Sequence, residues 1–114
     1  MTTSRSWTVR LTAAAEIDFQ NIIAWTLEHF GPDQAHVYAD TLSAALEALA
    51  EGPTVVGARE RHDILPGLMT LHVARQGRKG RHFVLFRAAA EAASPRIEVL
   101  RVLHDAMDLA RHVP

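Results

Sequence analysis

Cations at three places in the second half of the chain have positions that suit anion binding. His72, Arg87 and Arg101 each lie in a short apolar run that is typical of a β-strand. Alternate side chains of a strand share a face, so each cation is predicted to share a face with apolar neighbours. If helices cover the opposite face, the cations converge on an open sheet face that suits phosphates or an acidic amphipathic peptide. The alternative is that Arg87 and Arg101 pair locally with Glu98 or Asp105.

Arg101 is the least expected of these cations. It lies within Ile97–Leu103, where both alternating sets are apolar, as in a central strand covered on both faces. Simple alternation places Arg101 on the same face as Val99 and Leu103. An unpaired charge there would be costly, so Arg101 must meet a partner, a ligand or water.

The most basic segment is the link between the second and third predicted strands. Its four cations fall within residues 75–81 and are Arg75, Arg78, Lys79 and Arg81. Such a segment suits contact with a phosphate backbone or an acidic protein. A solvated, flexible turn is the alternative, because Gly77 and Gly80 would hold the backbone loosely.

One set of residues near the C-terminus has a spacing that suits a metal. His104, Asp108 and His112 would lie on one stripe of a continuous helix, and such side chains bind zinc. The predicted helix is short, however, and such side chains often cap helices or form salt bridges. A nucleotide-binding glycine loop and a serine-nucleophile elbow are absent from the sequence. We therefore predict no metal and no cofactor.

Composition limits the class of protein. The chain has 114 residues, of which 48% are hydrophobic and 22% charged, and this is typical of one globular domain over residues 1–114. It has no cysteine, which excludes disulfides, thiolate zinc sites and cysteine nucleophiles and suits the cytoplasm. The sequence shows neither a membrane-spanning run nor the apolar segment of a signal peptide. We expect a cytoplasmic protein without membrane contact.

Charge is distributed unevenly along the chain. The net charge is −1, but residues 1–57 carry two Arg against seven acids, whereas residues 58–114 carry ten Lys and Arg against six acids. This asymmetry predicts that the second half contacts something acidic, either nucleic acid or an acidic protein segment.

Helices are predicted in the first half of the chain. Trp7–Leu11 alternates as a first strand does, and Thr12 is suited to cap the helix that follows. The apolar stripe of this helix ends at Gly31-Pro32, and a second helix is predicted from about Pro32 to Glu51. A turn this short predicts an antiparallel helical hairpin.

Strands dominate the second half. They are predicted at Leu68–Val73, His82–Ala88 and Ile97–Leu103, with a short helix from Asp105 to His112. Residues 53–67 are predicted to be a loop, and residues 89–95 a hairpin-like link. The predicted order is β-α-α-β-β-β-α. The predicted fold class is α+β, with a small, mostly antiparallel four-stranded sheet packed on the antiparallel helical hairpin.

This layout and several motifs resemble the RelE/ParE superfamily of type II toxins, and its ParE branch in particular. The similarity runs from about Val9 to His112. The motifs are Ala15-x-x-Asp18-Phe19-x-x-Ile22, Phe30-Gly31-x-x-Gln34-Ala35-x-x-Tyr38, Leu46-x-x-Leu49-Ala50-x-x-Pro53, Leu65-Pro66-Gly67, His82-Phe83-Val84-Leu85-Phe86-Arg87 and Val99-Leu100-Arg101-Val102-Leu103-His104-x-x-Met107-Asp108.

The resemblance implies a cytoplasmic bacterial toxin that a cognate ParD-like antitoxin holds inactive in a hetero-oligomer. ParE-like members poison DNA gyrase, whereas RelE-like members cut messenger RNA on the ribosome. The first target is favoured because Leu68–Val73 holds His72 as its only basic residue, where RelE-like cutters carry several. The predicted partner-binding residues are His72, Arg75, Arg78, Lys79, Arg81, Arg87 and Arg101.

Two alternatives stay open. A RelE-like ribosome-dependent endonuclease would use His104, Arg87 and Arg101, with the arginines on the scissile phosphate and the histidine as base. The other alternative is a non-toxic relative that only binds its antitoxin.

Overall fold

The computed structural model of the chain describes residues 7–89 and 94–113. Its elements are β1 (Thr8–Leu11), α1 (Ala13–Ala48), β2 (Arg59–Glu60), β3 (Met69–His72), β4 (His82–Ala89) and β5 (Arg96–His104). Short 3₁₀ helices follow α1 at Leu49–Glu51 and follow β5 at Leu109–Arg111. The predicted link at residues 89–95 and the N-terminal residues 1–6 lie largely outside the described residues. Among the described residues, no helix has the length and hydrophobicity that a membrane crossing needs.

The first half contains one long helix, so the predicted antiparallel helical hairpin is wrong. α1 begins where Thr12 caps it, because the Thr12 hydroxyl accepts a hydrogen bond from the Ala15 N–H at 3.2 Å. The helix then continues through Pro32 to Ala48. Gly31 absorbs the interruption by itself, with φ 89° and ψ 173°, a conformation that is essentially restricted to glycine.

The interruption at Gly31 bends α1. The non-helical backbone of Gly31 forms a kink between the helical residues before it and those from Pro32 onward. The Gly-Pro pair therefore changes the direction of α1 without ending it.

The sheet is mixed and has five strands among the described residues, in the order β1-β5-β4-β3-β2. β1 runs parallel to β5, and the other neighbours are antiparallel. The prediction of a four-stranded, mostly antiparallel sheet is therefore wrong. The additional strand is β2, which has only two residues and lies in the segment predicted to be a loop. So short a strand shows no alternation that a sequence pattern could reveal.

A β-bulge interrupts β5 next to Arg101. Leu85 pairs with Arg101, but the next residue of β4, Phe86, pairs with Val99. Leu100 is therefore the extra residue on β5. Such a bulge shifts the alternation of side chains along the strand by one residue.

The bulge changes which side chains of β5 share a face. Val99 and Val102 pack in the core next to α1, whereas Leu100 and Leu103 pack on the opposite side of the sheet. The predicted grouping of Val99 with Leu103 is therefore wrong. The carbonyl of Leu100 accepts a hydrogen bond from the Thr12 hydroxyl at 2.9 Å, which connects the bulge to the start of α1.

Apolar side chains cover both faces of the sheet. The main core lies between the sheet and α1 and includes Leu42, Leu71 and Phe86. A smaller cluster covers the other face, which the sequence predicted to be open. Its buried members are Leu68, Leu85, Leu100, Leu103 and Leu109. Leu109 belongs to the 3₁₀ helix that stands in place of the predicted helix from Asp105 to His112.

Candidate functional site

A cleft lies between α1 and the loop that joins β3 to β4. Its volume is about 910 Å³, within the range of ligand sites in proteins. One side consists of α1 residues between Asn21 and Thr41, on both sides of the bend. The other side consists of residues 77–81, with His82 and His104 between the two. The bend at Gly31 thus allows both parts of α1 to line one cleft.

Large apolar side chains of α1 form the apolar wall of the cleft, which we define as Trp25, Phe30 and Val37. These side chains are 55%, 62% and 54% exposed, respectively. Trp25 stacks on His29 with ring centroids 4.2 Å apart and meets the edge of Phe30 at 5.7 Å. So much adjoining apolar surface indicates a place that another molecule covers.

Cations form the opposite, basic rim of the cleft, which we define as Arg78, Lys79 and Arg81. The loop that carries them packs closely against the protein at Gly80. A Cβ atom there would lie 2.5 Å from the Val73 side chain and 3.0 Å from the Tyr38 hydroxyl. Any larger residue would therefore push the basic rim away from α1.

Arg75 belongs to the same basic segment but points elsewhere. Its Nη2 donates a hydrogen bond to the Val56 carbonyl at 3.2 Å, and Arg75 does not line the cleft. The four cations that the sequence groups together are thus divided between the cleft and another part of the surface.

Tyr38 connects α1 to the loop and to β4 at the floor of the cleft. Its hydroxyl accepts a hydrogen bond from the Arg81 N–H at 3.1 Å and lies 2.6 Å from His82 Nδ1. Burial raises the pKa of Tyr38, so the hydroxyl keeps its proton. We assign that proton to the hydrogen bond with His82, which makes Nδ1 of His82 the acceptor. In the sequence, Tyr38 lies on the apolar stripe of the predicted second helix, which indicates only core packing. Its hydrogen-bond partners are more than 40 residues away along the chain, so no local pattern could have identified them.

His82 is neutral near pH 7. Burial, reinforced by the neighbouring His104, lowers the pKa of His82 to about 4. The two imidazole rings meet edge to face with centroids 5.3 Å apart. With Nδ1 of His82 assigned as the acceptor of the Tyr38 hydrogen bond, the proton of the neutral ring lies on Nε2.

Asp105 pairs with two basic side chains beside the cleft. It accepts hydrogen bonds from Arg81 Nε at 3.1 Å and from His72 Nε2 at 2.9 Å. The Arg81 guanidinium, followed by His72, lowers the pKa of Asp105 to about 2. The Asp105 N–H also donates to the Arg81 carbonyl at 2.8 Å. Asp105 thereby fixes the end of the loop that carries the basic rim.

The structure does not bring His72, Arg87 and Arg101 to one site. His72 pairs with Asp105, and Arg87 Nε lies 2.8 Å from Glu98, which is the local pairing that the sequence left open. Arg101 donates to Asp18 on α1 instead, from Nε at 2.7 Å and from Nη2 at 2.9 Å. Each of the three side chains thus pairs with a different carboxylate.

The residues of the two alternative chemistries are also separate. His104 lines the cleft, whereas Arg87 and Arg101 are paired elsewhere, so the three do not surround one phosphate. Within residues 7–89 and 94–113, no group of three His, Asp or Glu side chains is arranged to hold a metal ion.

A protein-family model matches nearly the whole chain. The model of the family described as "ParE toxin of type II toxin-antitoxin system, parDE" matches residues 9–109. Toxin ParE1 of Mycobacterium tuberculosis is 31% identical over 103 residues, which cover 90% of this chain and 94% of that protein. Toxin ParE1 of Caulobacter vibrioides is 29% identical over 104 residues, covering 91% and 95%, respectively.

Solved structures of similar fold include two from toxin–antitoxin systems. A chain from the "Chromosomal ParDE TA system from P. aeruginosa" superposes with a TM-score of 0.68 over 87% of this chain and 96% of that one. At 19% identity, this likeness concerns the fold alone. A chain of the toxin–antitoxin complex RelBE2 from Mycobacterium tuberculosis has a TM-score of 0.56 and 25% identity, covering 87% and 98%.

Proposed function

This chain belongs to the ParE toxin family of type II toxin–antitoxin systems, and we propose that a ParD-like antitoxin neutralises it by binding in the cleft between α1 and the basic rim. We further propose that the free toxin acts in the cytoplasm by inhibiting DNA gyrase. In the neutralised state the toxin is one component of a hetero-oligomer with the antitoxin.

One observation supports this antitoxin site: the apolar wall and the basic rim face each other across one cleft. An acidic amphipathic segment matches both sides. Its apolar residues would cover Trp25, Phe30 and Val37, at about 25 cal/mol per Å² of apolar surface removed from water. Its carboxylates would approach the basic rim, which favours rapid and selective association.

The arrangement of the paired arginines supports a target-binding toxin over an RNA-cutting one. A metal-independent nuclease needs unpaired cations beside the scissile phosphate. Arg87 and Arg101 instead hold Glu98 and Asp18, so a phosphate would have to displace a carboxylate from each.

Induced expression tests the toxin and its target. We expect growth arrest with inhibited DNA synthesis and continued translation, relieved when the cognate ParD-like antitoxin is co-expressed. The purified toxin should inhibit supercoiling by gyrase in vitro. Immediate translation arrest with cleaved messenger RNA would contradict the gyrase proposal. Normal growth on induction would contradict toxicity itself and leave an antitoxin-binding relative.

A further inference from the structure

The floor of the cleft, formed by Tyr38, His82 and His104, has a chemistry that neither the apolar wall nor the basic rim explains. All three side chains are partly buried and line the cleft. We propose that this floor is a subsite for one carboxylate of the bound antitoxin segment, an inference that rests on the antitoxin site proposed above. The carboxylate would bind together with a proton that His82 takes up. The subsite would make antitoxin binding proton-linked.

The hydrogen bonds at the floor leave donors available to a ligand. His104 Nδ1 accepts the Ala106 N–H at 3.0 Å, so a neutral His104 carries its proton on Nε2, as His82 does. Neither Nε2 atom donates to an acceptor within the described part of the chain. Two imidazole N–H groups at the base of an apolar cleft suit a carboxylate oxygen.

The charges around His82 explain why it is unprotonated in the free protein. α1 contributes the neutral Tyr38, β3 contributes His72 and β5 contributes His104. The loop contributes the cationic Arg81, and its Arg78 and Lys79 lie along the same cleft. Asp105 is the acidic neighbour, and it already accepts hydrogen bonds from Arg81 and His72. An added proton on His82 would thus meet partial burial and an excess of positive charge.

A bound carboxylate reverses this balance, because an opposite charge nearby favours the protonated imidazole. Carboxylate binding and proton uptake then strengthen each other by the same free energy. With a pKa of about 4, His82 is only about 1% protonated at pH 6 in the free protein, so nearly a whole proton remains to be taken up on binding.

Protonation of His82 also frees a hydrogen-bond donor, the Tyr38 O–H, for the ligand. A protonated His82 becomes a donor at Nδ1, so the Tyr38 hydroxyl must accept from it. The Tyr38 oxygen has two lone pairs, one for the Arg81 N–H and one for His82. Its own O–H is then free to turn towards the carboxylate. The proton comes from solvent, and no covalent bond changes.

Calorimetry of antitoxin binding in two buffers of different ionisation enthalpy at pH 6 measures the protons taken up. The probe is the cognate ParD-like antitoxin. The variant is His82→Gln, whose amide oxygen can still accept a hydrogen bond from Tyr38 but does not titrate. We expect the wild type to take up about 0.5 to 1 proton more than His82→Gln. Between pH 7 and 6 the affinity of the wild type should therefore rise by up to about tenfold.

The control is His36→Gln, because the His36 side chain is 82% exposed on α1 and does not line the cleft. It should take up as many protons as the wild type. A complex that forms with equal uptake in wild type and His82→Gln would overturn the carboxylate subsite while leaving the antitoxin site intact. Failure of the complex to form would contradict the antitoxin site itself. As a second readout that needs no variant, NMR titration of the His82 ring should show a higher pKa in the complex than in the free toxin.

Discussion

Asp18 is the residue that makes Arg101 compatible with the sheet. Its two oxygens accept from Nε and Nη2 of Arg101, and one of them also accepts from the Val102 N–H at 3.0 Å. The Arg101 and Asp18 side chains are 26% and 12% exposed. A third guanidinium hydrogen bond goes to the His112 carbonyl at 3.0 Å. This network joins α1, β5 and the C-terminal segment through one side chain.

Removing Arg101 should therefore be more costly than removing Arg87. Arg101→Ala leaves Asp18 partly buried without its guanidinium, and we expect the free energy of unfolding to fall by about 2–3 kcal/mol. Arg87→Ala breaks an exposed pair with Glu98 and should cost about 0.5 kcal/mol. Urea denaturation of both variants measures the difference. Equal losses would contradict the structural role of the Arg101–Asp18 pair.

His82 should make the protein less stable in mild acid. Its folded pKa of about 4 lies below its unfolded value of about 6.5, so the unfolded chain binds more protons between these values. The part of the free energy of unfolding that is linked to His82 is fully present above about pH 6.5 and is lost as the pH decreases towards 4. After allowance for the solvent that reaches the half-buried ring, the loss is about 1 kcal/mol, or about 4–8 °C in melting temperature.

Melting temperatures of wild type and His82→Gln between pH 7 and 4.5 test this linkage. The melting temperature of His82→Gln should fall less than that of the wild type over this range. Parallel curves for the two proteins would show that His82 titrates normally in the folded state. The pKa of Asp105 is also depressed, but its effect falls at lower pH, between about 3.8 and 2.

At the scale of elements, the bend of α1 determines the shape of the cleft. Trp25 and Phe30 come before the bend, and Val37 and Tyr38 come after it, yet all four line the cleft. Gly31 permits this arrangement through a backbone conformation that other residues adopt only with strain.

Gly31→Ala should weaken both folding and antitoxin binding. Nothing lies within 4 Å of the added Cβ, so its cost is backbone strain of about 1–3 kcal/mol, and relief of that strain would alter the bend. Gly67→Ala is the control, because Gly67 also has a positive φ of 81° and open space but lies outside the cleft. Chemical denaturation and antitoxin titration should show lower stability in both variants but weaker binding only in Gly31→Ala. Unchanged antitoxin binding by Gly31→Ala would contradict a role for the bend in recognition.

The basic rim should contribute to antitoxin binding through charge. We expect the double variant Arg78→Ser/Lys79→Ser to bind the antitoxin about tenfold more weakly, with a smaller dependence on salt. Arg75→Ser is the control on the same loop, since Arg75 bonds to Val56 instead of lining the cleft. If the control loses as much affinity as the double variant, only the overall charge of the loop matters.

Local patterns in the sequence predicted the positions of most elements but not how they join. β3, β4 and β5 are confirmed within one residue at either end, because alternation along a strand is a local property. Gly31-Pro32 has the composition of a helix end, and only the tertiary structure shows that α1 resumes after it. The bulge at Leu100 depends on pairing with β4, which strand alternation does not report.

The sequence likewise predicted only part of the candidate site. The cations Arg78, Lys79 and Arg81 are visible as a cluster in the sequence, and they line the cleft. The pairing of Arg101 with Asp18 joins residues 83 positions apart, and the pairing of Tyr38 with His82 joins residues 44 apart. Contacts of this range follow from the assembled fold and leave no periodic signal in the sequence.

At the scale of the whole molecule, the two sides of the cleft come from the two differently charged halves of the sequence. The first half of the sequence, which contains α1, has an excess of acids, and the second half, which contains the basic rim, has an excess of cations. α1 nevertheless presents an apolar wall to the cleft. An acidic amphipathic partner would thus meet apolar surface on one side and positive charge on the other.

Trp25 provides the most direct test of the proposal that the antitoxin occupies this cleft. The chain contains two tryptophans, so the Trp7→Phe variant leaves Trp25 as the only source of tryptophan fluorescence. Trp25 is 55% exposed in the free toxin and would become buried beneath a bound segment. Its emission should shift to shorter wavelength as antitoxin is added, and the shift should saturate when complex formation, followed by size-exclusion chromatography, is complete. A complex that forms while the emission of Trp25 stays unchanged would contradict the proposed binding site.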